Sequence, residues 1–399
     1  MSPNNASEPD DGEGRDVIVK VVGDITDLPA DGWDACANPD PATYNPFVSH
    51  AFLKALEEAG CVNVRTGWVP HHFALEIDGR LDGCAPAYLK THSQGEYVFD
   101  YGWADAFERA GGRYYPKLQV AVPFTPVPGP RLLVRPGLDR AHQQQLLAAG
   151  MVEAARQRNL SSIHATFVAE GEWQTLGDIG FLQRTDQQFH WTNRGYSTFD
   201  DFLADLASRK RKTVRKERAQ ATSSGLEIVW LRGADITEDH WDVFYEFYQD
   251  TGSRKWGRPY LNRAFFSHLH AALPEDCLLI MAKRGDTFVA GALNMIGGDC
   301  LYGRYWGALE HHPCLHFEIC YYQAIDFALE HGLTRVEAGA QGEHKLARGY
   351  MPTSTYSAHW IFDPGFRRAV ADYLEHERDH VDRAIDALAS YAPFKKDGN

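Results

Sequence analysis

The sequence predicts an α/β protein built as two copies of one unit, and three observations carry that expectation. Each half runs strand, helix, hairpin, strand, helix, strand. The hairpins at 71–90 and 277–296 share a form: an apolar run, a charged Gly turn, and a second run rich in small residues. The helical segments carry apolar stripes at the 3.6-residue period, as in Trp241, Phe244, Tyr245 and Tyr248.

In order, residues 1–15 read as a disordered tail and 16–23 as a strand. Residues 49–60 read as a helix with Ser49 as N-cap and Gly60 as its stop. The first hairpin turns at Asp78-Gly79. Residues 96–133 hold too many prolines and glycines for one element, so a loop-rich aromatic insertion is expected around a strand near 119–127. A helix at 139–158 opened by Asp139, then strands at 161–167 and 187–193, complete the first half. The second half offers a strand at 226–231, the helix around Trp241, and a hairpin turning at Gly285-Asp286. A strand at 300–306, a helix ending at Gly332, a strand at 333–340 and a long helix at 366–388 follow. The boundary is expected near Arg194–Ser208.

With 399 residues and 44% hydrophobic side chains, the chain can bury sizeable cores. Its seven cysteines are scattered without a CxxC pair, so neither a disulfide framework nor a metal site is expected, and most read as small buried hydrophobes in a reducing compartment. The polar, acidic start is not expected to act as a signal peptide, and no run of about 18 apolar residues suggests a transmembrane segment. The expected location is the cytoplasm. A net charge of -14 argues against a general nucleic-acid coat protein, with one local exception. Residues 208–218 read SRKRKTVRKER, seven bases with a single acid.

Four segments could carry chemistry. In 300–330, strict alternation puts Tyr302, Arg304 and Trp306 on one face, and His311, His312, His316 and Glu318 gather where a helix begins. Glu318 there either does chemistry or merely complements the helix dipole, and His316 is either functional or a satisfied core histidine. In 337–352, Gln341, Glu343, His344, Lys345 and Arg348 follow a strand end among glycines, a pattern that suits a site and also an exposed turn. In 208–218, Arg209, Lys212 and Lys216 share one helix face and Arg211, Arg215 and Arg218 another, with Lys210 between. A helix basic all round is either a solvated connector or a phosphate contact. In 96–131, Asp100, Trp103, Tyr114, Tyr115 and Lys117 either line a substrate groove or pack between the halves.

HSQGEYVFDYGWADAF (92–107), YYPKLQVAVPFTPVPGPRLL (114–133), LYGRYWG (301–307), LHFEICYYQAIDFA (315–328) and GAQGEHKLARGYMP (339–352) resemble the hallmarks of the FemAB-like family of bacterial proteins, within the GNAT acyltransferase superfamily. The resemblance covers about 45–385 and implies two tandem GNAT-like domains, each a mixed central sheet flanked by helices. The implied division is a domain at 16–195 with the insertion at 96–131, a basic interdomain helix at 196–225, and a second domain at 226–390.

More distantly the chain is similar to the Fem-type aminoacyltransferases of peptidoglycan synthesis, which move an amino acid from aminoacyl-tRNA onto an amine of a cell-wall precursor. Their Phe-Lys-x-x-Phe-Gly-type segment is approximated by His344-Lys345 through Gly349-Tyr350, which singles out Lys345. Acetyl-CoA-using relatives carry Arg/Gln-x-x-Gly-x-Gly/Ala; here Arg304-Tyr305-Trp306-Gly307-Ala308-Leu309 ends in a leucine, which argues against a pyrophosphate, and the basic run 208–218 moves the balance toward tRNA.

The expectation is an acyltransferase forming an amide on a small molecule, peptide or cell-wall precursor, with aminoacyl-tRNA as donor. Glu318 or His316 would be the base, Lys345 the electrostatic stabiliser with Glu343 and His344 beside it, and Arg304 and Trp306 would position the donor. Asp100, Trp103, Tyr115, Lys117 and Arg348 would contact substrate, and Arg209, Lys210, Arg211, Lys212 and Arg215 the tRNA. An acyl-CoA-dependent N-acyltransferase and a non-catalytic peptide- or cell-wall-binding protein are the alternatives.

Overall fold

The computed structural model describes residues 16–223, 225–255, 259–340 and 342–395; the expected tail at 1–15 and Gln341 lie outside them. Local chemistry explains most elements. Ser49 caps the helix His50–Glu58 by accepting from the Phe52 N–H, and Asp139 caps Arg140–Gln157 by accepting from His142. The first hairpin turns with φ of 51° at Asp78 and 78° at Gly79, the double left-handed pair of a type I′ turn.

Two sheets form. Val17–Val22, His72–Ile77, Arg80–Ala85 and Leu133–Val134 make a four-stranded antiparallel sheet. Pro86 cannot donate to a ladder, and there the chain leaves this sheet to begin Ala87–Lys90 in the other. The larger sheet has eleven strands. From one edge it runs Glu227–Arg232, Cys277–Arg284, Thr287–Ile296, Cys300–Ala308 and Arg335–Glu337. It continues through Leu182–Thr192, Met351–Ile361, Ser162–Val168, Lys117–Val120, Ala87–Lys90 and Trp68–Pro70.

The halves therefore trade strands. Leu182–Thr192, from the first half, lies between Arg335–Glu337 and Met351–Ile361 of the second. Met351–Ile361 in turn pairs with Ser162–Val168 of the first. One core joins Trp33, Phe47 and Phe52 to Trp241, Phe265 and Tyr302, so burial also crosses between halves. A second core lies under the helix that runs Leu315–Phe317, passes through a π-helical turn at Glu318–Tyr322, and continues as Gln323–Glu330.

Differences from the sequence reading are local. The aromatic insertion contains a helix, Tyr101–Arg109, and its strand is shorter, Lys117–Val120. The strand expected at 333–340 spans Arg335–Glu337, because Gly339 and Gly342 take positive φ immediately after it. Met351–Ile361 carries a proline and four Ser/Thr residues and gives no apolar signal, yet it is hydrogen-bonded on both sides. Among the described residues, no helix is long and apolar enough to cross a membrane.

Candidate active site

A cleft opens where two neighbouring strands part. Cys300–Ala308 pairs in parallel with Arg335–Glu337 over only three positions, ending at Tyr302↔Glu337. Beyond that point, no described strand pairs with Gly303–Ala308 on this side, so backbone N–H and C=O groups face the gap. On its other side the same strand bulges: Leu293 pairs with Tyr305 and Asn294 with Gly303, leaving Arg304 as the extra residue.

The bulge overturns the expected single face for Tyr302, Arg304 and Trp306. An extra residue reverses the alternation beyond it. Tyr302 packs on Phe47 at 5.3 Å and Tyr305 on Tyr248 at 5.1 Å, both in the inter-half core. Trp306 turns the other way and meets His316 at 5.3 Å over the opposite core.

The cleft contains a cavity of about 130 Å³ whose walls include Asn294, Arg304, Trp306, His316, Tyr321 and Ala338. Among the described residues, neither Nδ2 nor Oδ1 of the buried Asn294 has a hydrogen-bond partner, nor has Nε of Arg304. The aromatic insertion reaches in from the first half: Arg304 Nη2 donates to the Phe124 carbonyl at 3.0 Å and the Tyr305 hydroxyl to the same oxygen at 3.3 Å. Phe124 takes φ of 58°, rare for so bulky a residue, and its ring stacks on Tyr260 at 4.9 Å. A larger hollow of about 420 Å³ adjoins at Trp306–Phe317 and includes His311 and His312.

Glu318 does not face this cleft as a base would. It is 1% exposed, with Oε2 3.2 Å from Arg218 Nε and Oε1 2.9 Å from Arg218 Nη2, and Gln323 donates to Oε1 at 2.8 Å. Arg218 also holds Asp326 at 2.6 Å. A carboxylate so occupied ties the basic helix Ser208–Thr222 to the π-helical turn. His316, in contrast, lines the cavity.

The loop after the third-position pairing holds the other expected groups. Glu343 and His344 are exposed at the start of the 3₁₀ helix Glu343–Arg348. The Tyr321 hydroxyl and His344 Nε2 are 2.8 Å apart. Lys345 is buried, its Nζ donates to the Gly339 carbonyl at 2.8 Å, and burial pulls its ammonium down to about 8. Arg348 grips Glu217 at 2.7 and 3.1 Å, donates to the His344 carbonyl at 2.7 Å, and lies 3.5 Å over the Phe317 ring. Arg348 is thus a clamp between this loop and the basic helix rather than a group presented to substrate.

On the basic helix, Val214 is the buried anchor. Arg209, Lys212, Arg215 and Lys216 are exposed, while Lys210 and Arg211 are half-buried. Ser208, Arg209, Lys212, Thr213 and Lys216 line an open groove, and Arg215 stands 3.6 Å from Asp200.

The first-half residues expected to line a substrate groove are buried instead. Lys117, 0% exposed, donates to Glu96 at 2.7 Å and Ser93 at 2.8 Å and contacts Asp100 Oδ2. The Tyr114 hydroxyl donates to Asp100 at 2.6 Å, and the Tyr115 and Ser93 hydroxyls are 2.8 Å apart. Trp103 packs on His359 at 4.9 Å, and His359 meets His164 across the exchanged strands at 2.8 Å. Burial pushes Glu96 up to about 7; against the same burial, the Lys117 ammonium holds Asp100 well below the usual carboxylate range. The paired charges make this an internal ion cluster of the first half, and His359 joins its neighbours His164 and Trp103 to the second.

Several site residues gave no sequence signal. Asn294 and Tyr305 needed the bulge, which follows from strand pairing. Glu217, the lone acid in the basic run, was a usable signal, since its isolation marks it as a partner for a distant arginine. Glu337 ends the strand at the cleft, 3.3 Å from Arg335 Nη1, with neither oxygen hydrogen-bonded. Burial pushes its carboxyl up to about 7. An acid raised from about 4.3 when unfolded adds stability below that pH and loses it as pH rises through 7. Glu337→Gln stays neutral throughout, so its urea midpoint is expected to match the wild type near pH 4 and exceed it increasingly up to pH 8. A midpoint below wild type at pH 8 would contradict that assignment.

The fold joins two mixed α/β halves whose sheets merge through the exchanged strands. The chain belongs to the FemAB-like family, described as peptidoglycan biosynthesis/recognition, whose model matches residues 24–396. FemX is similar in structure, with a TM-score of 0.53 and 14% identity over 86% of this chain and 98% of that one. The C-terminal domain of a putative lysylphosphatidylglycerol synthetase from Agrobacterium fabrum has a TM-score of 0.54 and 9% identity over 88% of this chain and 96% of that one. L-PGS from Bacillus licheniformis has a TM-score of 0.50 and 11% identity over 85% and 98%. No curated protein matches the chain.

Proposed function

We propose that the cleft in the second half transfers an aminoacyl group from aminoacyl-tRNA to an amine, forming an amide on a peptidoglycan precursor or similar acceptor in the cytoplasm. The observation that carries this reading is the splayed, bulged strand Cys300–Ala308, which turns unpaired backbone groups toward a small cavity. The amine attacks the ester carbonyl, strand-edge N–H groups at the bulge receive the developing oxyanion, and its collapse breaks the ester C–O bond, so that the ribose hydroxyl of the tRNA leaves with the proton the base has taken from the amine. With Glu318 engaged by Arg218, the base passes to His316 on the cavity wall. Arg304 and Trp306 hold the donor, and Lys345 fixes the loop at Gly339. The name FemX and the synthetases that share the fold support an aminoacyl donor, as does the exposed base row Arg209, Lys212 and Lys216.

Acyl-CoA is the second reading, and one observation favours it. The hollow of about 420 Å³ that adjoins the cleft, with Leu309 on its wall, offers room beyond the acyl group itself. Filter binding of charged tRNA across a salt series separates the two. Each phosphate contact contributes a slope of about 0.7–0.9 in log affinity against log salt. Replacing Arg209, Lys212 and Lys216 together by Ala is expected to reduce that slope by about 2–3. A melting temperature raised by acetyl-CoA, with no tRNA bound at low salt, would select the second reading.

A further inference from the structure

We propose that Asn294 is the residue that selects an acyl group bearing an α-amine, so that the cavity beside it is an aminoacyl pocket rather than a general acyl pocket. This rests on the reading of the cleft as the acyl-transfer site and goes further, to the chemistry of the group it accepts.

Asn294 is 1% exposed, near the end of Thr287–Ile296, on a strand whose neighbouring inward residues on the same face are Ala290 and Ala292. An apolar side chain would pack there without cost. Instead the site holds a primary amide, and both its Nδ2 and Oδ1 lack a partner among the described residues. Burying a donor and an acceptor unpaired is unfavourable unless a ligand supplies the missing bonds. The cavity of about 130 Å³ is large enough for a few heavy atoms, not for a nucleotide. Gly303, opposite Asn294 across the bulge, keeps the approach open: a Cβ there would lie 3.4 Å from Asn294 Oδ1 and 3.3 Å from the Glu337 carbonyl.

An amide of this kind complements a group with an acceptor and a donor side by side. An aminoacyl ester has both, a carbonyl oxygen and an α-ammonium two bonds further on. Nδ2 donates to the carbonyl, and Oδ1 accepts from the ammonium. Trp306 and Tyr321 form the aromatic walls, whose ring faces suit a cation. An acetyl group offers the carbonyl alone and leaves Oδ1 buried and unpaired, which is how such a site rejects the simpler acyl chain.

The test uses the full-length, ¹⁵N-labelled protein and two probes of nearly the same shape, protonated glycinamide and acetamide. The Trp306 indole N–H signal, assigned by its disappearance in Trp306→Phe, reports entry into the cavity whichever probe is used. Glycinamide is expected to shift that signal with a Kd at least tenfold lower than acetamide, and Asn294→Leu to bring the two within about twofold. The wild-type comparison stands by itself if that variant does not fold. Equal Kd values for the two probes in the wild type overturn the role of Asn294 and leave the cleft an acyl site. If neither probe moves the Trp306 signal at any concentration, the pocket takes no acyl group, and the acyl-transfer reading falls with it.

Discussion

Lys117→Met is expected to lower the unfolding free energy by about 3–5 kcal/mol, the cost of stranding buried charge. The lysine is wholly buried and serves Glu96, Asp100 and Ser93 at once. Methionine fills a similar volume, so little of the loss comes from packing. It comes from two carboxyls left without their cation, in a region where water cannot replace it. Two controls separate this from a general packing defect. Removing the stranded charges as well, with Glu96→Gln and Asp100→Asn, should recover most of the loss. The deficit should also shrink near pH 4–5, where the abandoned carboxyls take up protons and become neutral. Urea midpoints of the single and triple variants at both pH values measure this; a triple variant no better than the single one would refute the ion-cluster account.

Lys345→Met is expected to reduce the rate of acyl transfer by about 10²–10³, comparable to losing one preorganised polar contact at a reacting centre. In the proposed mechanism Lys345 is a positioning residue. Its Nζ holds the Gly339 carbonyl, in the loop whose neighbour Ala338 lines the cleft, and the ammonium itself is buried behind that loop. Positioning predicts a fall in kcat with KM nearly unchanged. Burial brings the group to about 8, so its proton leaves as pH rises through that value. Wild-type activity should therefore decline on an alkaline limb near pH 8 that Lys345→Met lacks. An unchanged rate, or a limb that survives the substitution, would remove Lys345 from the mechanism.

Much of the architecture was readable in the chain because the signals were local. Asp78-Gly79 can hardly be anything but a tight turn, and Ser49 and Asp139 cap the helices they precede. The site was readable as a neighbourhood: Arg304, Trp306, His316, Lys345 and His344 do converge around one cleft and its loop. Their roles were not, because roles depend on partners far away in sequence. Glu318 looked like a base until Arg218 was placed beside it, and Lys117 looked like a binding residue until Glu96 and Asp100 enclosed it. Trp306 changed sides through a bulge that only the register with Thr287–Ile296 reveals. Met351–Ile361 escaped for a related reason. A strand flanked by partners on both sides is held by two ladders, and its first part, Met351–Ser357, carries Pro, Ser and Thr where an apolar alternation would mark a strand.

The exchanged strands also impose an order on synthesis. Ser162–Val168 and Leu182–Thr192 leave the ribosome well before the strand that fills the space between them, Met351–Ile361, because most of the second half is made in the interval. Through that interval the nascent chain carries a sheet with a missing middle, exposing hydrogen-bonding edges that other chains can pair with. A strand made late is thus the keystone of the first half, and a product truncated before it has no finished half to fall back on.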